Sequence, residues 1–177
     1  TTAAKRCGRM RASYPAHMLI PLVLASSLYL LAATGEATQD LVVRDWLVLE
    51  AVDGRGRRPF RPDAVFARHL LDPKSAVPQL GDQISGGLGE SAWVAASADK
   101  NGQLNFAGDP AWAYAELKLE HGEVLLADLQ GASTLFINGV GFAGDLYRFG
   151  YQGVPVALQQ GTNQIFVTGI RGDFQLV

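Results

Sequence analysis

The chain contains 177 residues, of which 48% are hydrophobic and 18% are charged, and its formal net charge is -2. These values exclude an intrinsically disordered chain, and 20 glycines without a three-residue period exclude a collagen-like one. The length suits one globular domain of ordinary size.

The N-terminal segment has the composition of a secretory signal peptide. Lys5, Arg6, Arg9 and Arg11 precede a charge-free apolar run over residues 18–34, and small residues follow it. This pattern predicts cleavage between residues 33 and 38, which divides the chain into a signal peptide helix over 1–37 and a domain over 38–177. The alternative is an uncleaved N-terminal helix that anchors the protein in a membrane. We expect an exported protein, periplasmic or extracellular.

Removal of the predicted signal peptide changes the charge of the remaining domain. Four of the 15 basic residues and one of the 17 acidic residues leave with it, so the domain carries a formal charge of about -5. An anionic domain is a poor match for nucleic acid or for an anionic membrane surface. The only cysteine, Cys7, also leaves, and this excludes disulfides, thiolate chemistry and cysteine-based zinc sites from the domain.

The first part of the domain predicts a strand, a short helix and a long loop. Residues 41–49 are rich in β-formers, and Trp46 and Val48 alternate with Leu47 and Leu49, which indicates a strand that is covered on both faces. A helix is predicted over 63–71, with Asp63 as its N-cap. Residues 78–89 are dense in glycine and proline and predict a long loop.

The second part of the domain predicts short strands joined by turns. Strands are expected over 92–96, 103–106, 111–120, 123–129, 133–137, 140–142, 152–158, 164–170 and 173–177. The strand over 123–129 is expected to pair with 111–120 across the turn at His121 and Gly122. Asn138 and Gly139 predict a tight type I′ hairpin. About nine short strands at this spacing predict an all-β, antiparallel β-sandwich with one short helix.

Several segments together resemble a known family. The Trp-bearing first strand, residues 112–119, the turn over 135–139 and residues 154–167 with Gly161-x-Asn163 occur in the order seen in galactose-binding-like jelly-roll domains. More narrowly, the chain resembles the N-terminal β-sandwich of exported bacterial α/β-hydrolases of the esterase and prolyl-oligopeptidase-like kind. The resemblance implies a jelly-roll fold for residues 38–177, and it allows a structural calcium ion. No loop of oxygen ligands with a recognisable spacing supports such an ion.

The motifs of known catalytic sites are not found in the sequence. No serine lies in a Gly-x-Ser-x-Gly frame, and there is no phosphate-binding glycine loop. His69 and His121 are the domain's histidines, and neither has the spacing of a metal ligand. Arg171-Gly-Asp173 matches a cell-adhesion tripeptide, but in a glycine-rich β protein it predicts a turn. We therefore expect no enzymatic activity, no cofactor and no metal in this chain.

Carbohydrate binding has better support, because such modules stack sugar rings on exposed aromatic side chains. Aromatic and hydrogen-bonding side chains come together over residues 145–152. The candidate ligand-binding residues are Asp145, Tyr147, Arg148 and Tyr151, with Trp93 and Trp112 as further rings. The alternative is that these rings fill the ends of the sandwich or pack against another domain.

Two interpretations of function come first. The favoured one is a non-catalytic accessory domain, truncated from a longer exported hydrolase, that packs against a downstream catalytic domain or presents substrate to it. The apolar end of the chain at Phe174-Gln-Leu-Val177 favours truncation. The second is a carbohydrate-binding module with a glycan as its partner. A self-contained hydrolase is the third, and it would need His69 or His121 within hydrogen-bond reach of a serine and a carboxylate.

Overall fold

The computed structural model describes residues 41–52, 63–72, 74–108, 110–150 and 153–177, all within one compact unit, Gln39–Val177. The predicted signal peptide helix over 1–37 lies outside these residues. The described residues are mostly β-strand with one short helix, which confirms the all-β sandwich-like fold. In chain order the elements are β1 (Asp45–Glu50), α1 (Ala64–His69), β2 (Gln83–Gly86), β3 (Gly89–Ala92), β4 (Val94–Ser97), β5 (Gln103–Leu104), β6 (Pro110–Leu119), β7 (Glu123–Ala127), β8 (Leu129–Ile137), β9 (Val140–Ala143), β10 (Val154–Leu158) and β11 (Gly161–Leu176).

A seven-stranded antiparallel sheet forms the middle of the domain. Its strand order is β4-β1-β6-β11-β8-β9, and β5 pairs with one end of β11. The strands β7 and β10 form a separate two-stranded sheet, and β2 and β3 form another. No described helix is long and apolar enough to cross a membrane.

The large sheet buries both of its faces, so the domain has two cores. On one face Trp46 and Val48 pack in a cluster that includes Val156 and Leu158 of β10. On the other face Leu49 packs with residues of α1, of the β2–β3 hairpin and of its flank, namely Val65, Ile84 and Trp93. The prediction that the first strand is covered on both faces is thus confirmed. Alternation of apolar side chains places successive residues of each central strand in opposite cores.

Two turn predictions are confirmed in detail. Asn138 and Gly139 both have positive φ, 51° and 83°, and they join β8 to β9 as a type I′ turn requires. Asp63 caps α1, since its Oδ1 accepts hydrogen bonds from Val65 N at 2.9 Å and Phe66 N at 3.0 Å. Its Oδ2 also accepts a bond from Trp112 Nε1 at 3.0 Å, which ties the helix to β6.

Three predictions about the strands are wrong. Residues 78–89 are not one long loop, because β2 begins at Gln83 and turns into β3. The strand β7 does not pair with β6, whose neighbours are β1 and β11; instead it pairs with β10 in the other layer. The two final strands are one, β11, whose pairing with β8 shifts register between Ile170 and Gln175. The Arg171-Gly-Asp173 segment is part of this irregular strand and not a separate turn.

The buried histidine gives the domain a specific pH dependence. His69 lies between Trp93 and Phe166, with ring centroids 6.2 Å from each, and its Nδ1 donates a hydrogen bond to Ala76 O at 2.5 Å. Burial lowers the pKa of His69 below its ordinary 6.5, with a smaller contribution from Arg68, while Ala76 O and Asp82 act the other way. The folded domain therefore keeps this ring neutral where an unfolded chain would protonate it.

We expect the free energy of unfolding to have its full value above pH 6.5, where His69 is neutral in both the folded and the unfolded chain, and to fall as the pH drops below 6.5. The unfolded chain takes up a proton there that the folded one resists. Urea unfolding at about pH 7.5 and pH 5.5 measures this loss. His69→Gln should reduce the difference in unfolding free energy between the two pH values. His121→Gln, at an exposed position, should retain that difference. Equal pH dependence in both variants would contradict the assignment.

Candidate functional site

A tight turn after β9 carries three of the six predicted ligand-binding residues. Its first residue, Asp145, is buried, and its backbone N donates to Leu129 O at 2.7 Å. Its carboxylate Oδ2 accepts a hydrogen bond from Gly150 N at 2.8 Å, which closes the turn over residues 145–150. Asp145 therefore fixes the turn from the inside, whereas Tyr147 and Phe149 of the same turn are exposed to solvent.

Arg148 holds an uncommon backbone conformation at the centre of this turn. Its φ is 57°, in the left-handed region that costs a non-glycine residue about 1–2 kcal/mol. The guanidinium Nη2 forms an ion pair with Asp173 Oδ1 at 2.8 Å and donates to Asp173 O at 3.1 Å. Gln103 also donates to the Asp173 carboxylate. These contacts hold the turn against β11, and strain of this kind is often found at functional sites.

The Asp173 carboxylate remains charged in this arrangement. Partial desolvation raises its pKa, but the hydrogen bonds from Arg148 and Gln103 outweigh this effect and keep the pKa below its usual value. The ion pair between Arg148 and Asp173 is thus retained in mildly acidic solution.

The strand β8 leaves room for the ion pair only because residue 131 is glycine. Gly131 has a φ of 81°, and a Cβ there would collide with Asp173 O and lie 3.0 Å from Arg148 Nη2. The backbones of β8 and β11 and the Arg148 side chain meet at this point. The position of the turn therefore depends on a glycine some distance from it in sequence.

Two aromatic rings of this turn and one arginine of β11 lie together on the surface of the domain. Tyr147 is 61% exposed and Phe149 is 68% exposed, with ring centroids 5.7 Å apart and an angle of 40° between their planes. Arg171 of β11 places its Cζ 5.5 Å from the centroid of the Tyr147 ring. We refer to Tyr147, Phe149 and Arg171 as the exposed aromatic patch. Such a patch can stack on a flat ligand and donate hydrogen bonds beside it.

The predicted site residues divide into three groups. Asp145, Tyr147 and Arg148 do lie together in one turn, although Arg148 is engaged by Asp173. Tyr151 lies outside the described residues. Trp93 and Trp112 are buried in the core beside α1, so they offer no face to a sugar.

Sequence reasoning missed two members of the patch. Phe149 lies two residues after Tyr147, and this spacing in an extended turn was the available signal. Arg171 is separated from them by more than twenty residues, and nothing in the sequence pattern places it beside Tyr147. Arg171 lies in the part of β11 where the pairing with β8 shifts register, between Ile170 and Gln175.

The two histidines lie apart from this patch. His69 is buried in the core, and His121 is exposed after β6. Among the described residues, no group of three or more histidine, cysteine or acidic side chains is placed to hold a metal ion. Compared with known proteins, the chain matches no family model, and no curated protein and no solved structure is significantly similar to it.

Proposed function

We propose that the chain is a non-catalytic accessory domain of an exported hydrolase, with a jelly-roll fold of the galactose-binding-like kind. In this proposal it presents carbohydrate substrate through the exposed aromatic patch. The signal-like N-terminal segment supports export, and the antiparallel layers are compatible with a jelly roll. The observation that carries the binding function is the joint exposure of Tyr147 and Phe149, since two adjacent exposed rings form an apolar patch of the kind found at binding surfaces.

The exposed aromatic patch has a fixed geometry that suits the stacking of a sugar ring. The two rings share one turn that an ion pair and a carboxylate anchor fix in place. A pre-organised platform loses little side-chain entropy when a ligand stacks on it. The Arg171 guanidinium lies beside the Tyr147 ring, so that its N–H groups can donate hydrogen bonds to the hydroxyl groups of a sugar.

Truncation of the two rings is expected to weaken carbohydrate binding about thirtyfold or more, because stacking on them supplies most of the contact. The comparison is wild type against Tyr147→Ala/Phe149→Ala, tested by affinity electrophoresis in soluble galactan, arabinoxylan and polygalacturonate, and by pull-down on cellulose and chitin. Affinity is better measured this way than by tryptophan emission, since Trp46, Trp93 and Trp112 are all buried.

Val124→Ser/Leu126→Ser is the matched control. It also removes two exposed apolar side chains, but on the outer face of β7, and it should bind as the wild type does. Failure of a folded wild-type protein to bind any member of the panel would overturn the carbohydrate-binding proposal.

A second candidate is the packing of this domain against a catalytic domain. One specific feature favours it, the outer face of the β7–β10 sheet. Val124 is 69% exposed and Leu126 is 70% exposed, and they pair across the sheet with Ala157 and Pro155, which are also exposed. An exposed apolar face of this kind is typical of a contact surface. In this case the control variant, not the ring variant, would impair association with the catalytic domain.

A further inference from the structure

The charge of the exposed aromatic patch indicates which sugars it would select. Two arginines accompany Tyr147, since Arg148 follows it in sequence and Arg171 lies over its ring, but they differ in their partners. Arg148 is neutralised by its ion pair with Asp173 at 2.8 Å. Arg171 contacts the Tyr147 ring and forms no ion pair within the described part of the chain.

The Arg171 guanidinium is suited to bind an anionic ligand. It is held over an aromatic ring, it is exposed, and its donors are matched to the two oxygens of a carboxylate. The surrounding domain carries a formal charge of about -5, so a cation beside two exposed rings, with no ion pair among the described residues, is a local departure from the overall charge. Both rings and the cation lie within the span of a short oligosaccharide.

We infer that the exposed aromatic patch selects acidic sugars, uronates, whose ring stacks on Tyr147 and Phe149 while the carboxylate pairs with Arg171. This inference rests on the proposed carbohydrate-binding function and narrows its substrate class. A uronate differs from a neutral hexose by a carboxylate in place of a hydroxymethyl group on the sugar ring. The aromatic rings contact the part of the sugar that both share, and Arg171 recognises the part that differs.

An acidic peptide could supply the same carboxylate. The uronate is favoured because two tilted, exposed rings offer stacking faces to a pyranose, and a chain of aspartate or glutamate residues has no such face to stack.

The test uses one polysaccharide in two chemical states. Polygalacturonate and its fully methyl-esterified form have the same backbone, but the ester blocks the carboxylate. Wild type, Arg171→Met and Arg171→Lys are compared on both forms, on neutral galactan and on poly-glutamate. We expect wild type to bind the acid form at least about tenfold more tightly than the ester, and Arg171→Met to lose this preference. Arg171→Lys, which keeps the charge but not the planar fork, should fall in between.

Salt provides an independent measurement. Binding of the acid form should weaken as sodium chloride rises from about 0.05 to 0.5 M, and binding of the ester should not, because an exposed ion pair is screened. Arg171 is exposed, so its variants should unfold at the wild-type temperature, and this is checked alongside.

The possible failures are distinguishable. Equal binding of acid and ester, lost together in Tyr147→Ala/Phe149→Ala, would overturn the uronate assignment and leave the carbohydrate-binding function in place. No binding to either form or to any neutral polysaccharide would overturn the proposed function itself. Binding of poly-glutamate as tight as that of polygalacturonate would replace the sugar by an acidic peptide and also overturn the inference.

Discussion

Asn163→Ala is expected to destabilise the domain by about 3–5 kcal/mol. The side chain is fully buried at the start of β11. Its Oδ1 accepts hydrogen bonds from Gln159 N at 2.9 Å and from Asn138 Nδ2 at 2.8 Å, and its Nδ2 donates to Gln159 O at 2.8 Å. These three hydrogen bonds are part-buried, and a polar group that loses such a partner costs about 1–3 kcal/mol, so the loss is several times that of one exposed hydrogen bond.

The amide of Asn163 connects two turns that are distant in sequence. Asn138, in the β8–β9 turn, donates to Asn163, and the Asn138 Oδ1 in turn accepts from Gln164 N at 2.9 Å. The hydrogen bonds of these two asparagines therefore hold the β10–β11 turn next to the β8–β9 turn. A double-mutant cycle with Asn138→Ala should give a coupling free energy, because the two side chains share a bond.

Chemical denaturation measures this loss, and the chain offers a matched control. Asn101→Ala makes the same change at an exposed turn and is expected to alter the free energy of unfolding by no more than about 0.5 kcal/mol. A cost for Asn163→Ala as small as that of the control would contradict the role assigned to this amide.

Gly131→Ala is the second large effect, with an expected cost of about 3 kcal/mol. One part of this cost is the positive φ of 81°, which a Cβ disfavours. The other part is the close approach of Asp173 O and of Arg148 Nη2 to the added carbon. Relief of the collision requires β11 to move, and the ion pair under the exposed aromatic patch moves with it. We therefore expect weaker carbohydrate binding as well as lower stability.

Gly139→Ala separates the two contributions. Gly139 has nearly the same φ, 83°, but an added Cβ meets nothing within 4 Å. This control should cost only the backbone strain, about 1–2 kcal/mol, and should leave binding unchanged. If thermal unfolding shows equal losses in the two variants, the close packing of β8 against Asp173 is not a source of stability.

Local patterns in the sequence were sufficient for those parts of the fold that neighbouring residues determine. The alternation of Trp46, Leu47, Val48 and Leu49 identified a strand that is covered on both faces, because it depends on residues close in sequence. Asn138-Gly139 identified the β8–β9 hairpin for the same reason. The Asp63 cap was equally local. Its second bond, to Trp112, was not predictable, since it joins residues far apart in the chain.

Strand partners were harder to predict because they depend on distant segments. The turn at His121 indicated that the chain reverses, and adjacent strands usually pair, yet β7 crosses to the other layer and pairs with β10. Within β2 only Ile84 is buried, among glycine and polar residues, so no alternation marked that strand. The exposed aromatic patch was hard to predict for the same reason, because Arg171 contacts the Tyr147 ring from a distant part of the chain.

The scaffold accounts for why this patch is positioned as it is. Buried Asp145 closes the turn, Gly131 admits the Arg148 ion pair, and Asp173 anchors that pair. The two exposed rings, Tyr147 and Phe149, contribute little to either core, so we expect their substitution to leave the fold intact. This separation of support from contact is typical of binding sites on rigid β-scaffolds.

Sugar binding at the exposed aromatic patch is tested most directly by a two-dimensional amide NMR titration of the isotope-labelled protein with hexasaccharides of galacturonate and of galactan. We expect saturable shift changes to concentrate at residues 145–150 and 171–173, and Tyr147→Ala/Phe149→Ala to abolish them. Saturable shifts confined to the outer face of β7 and β10, or to any surface away from these two segments, would contradict it.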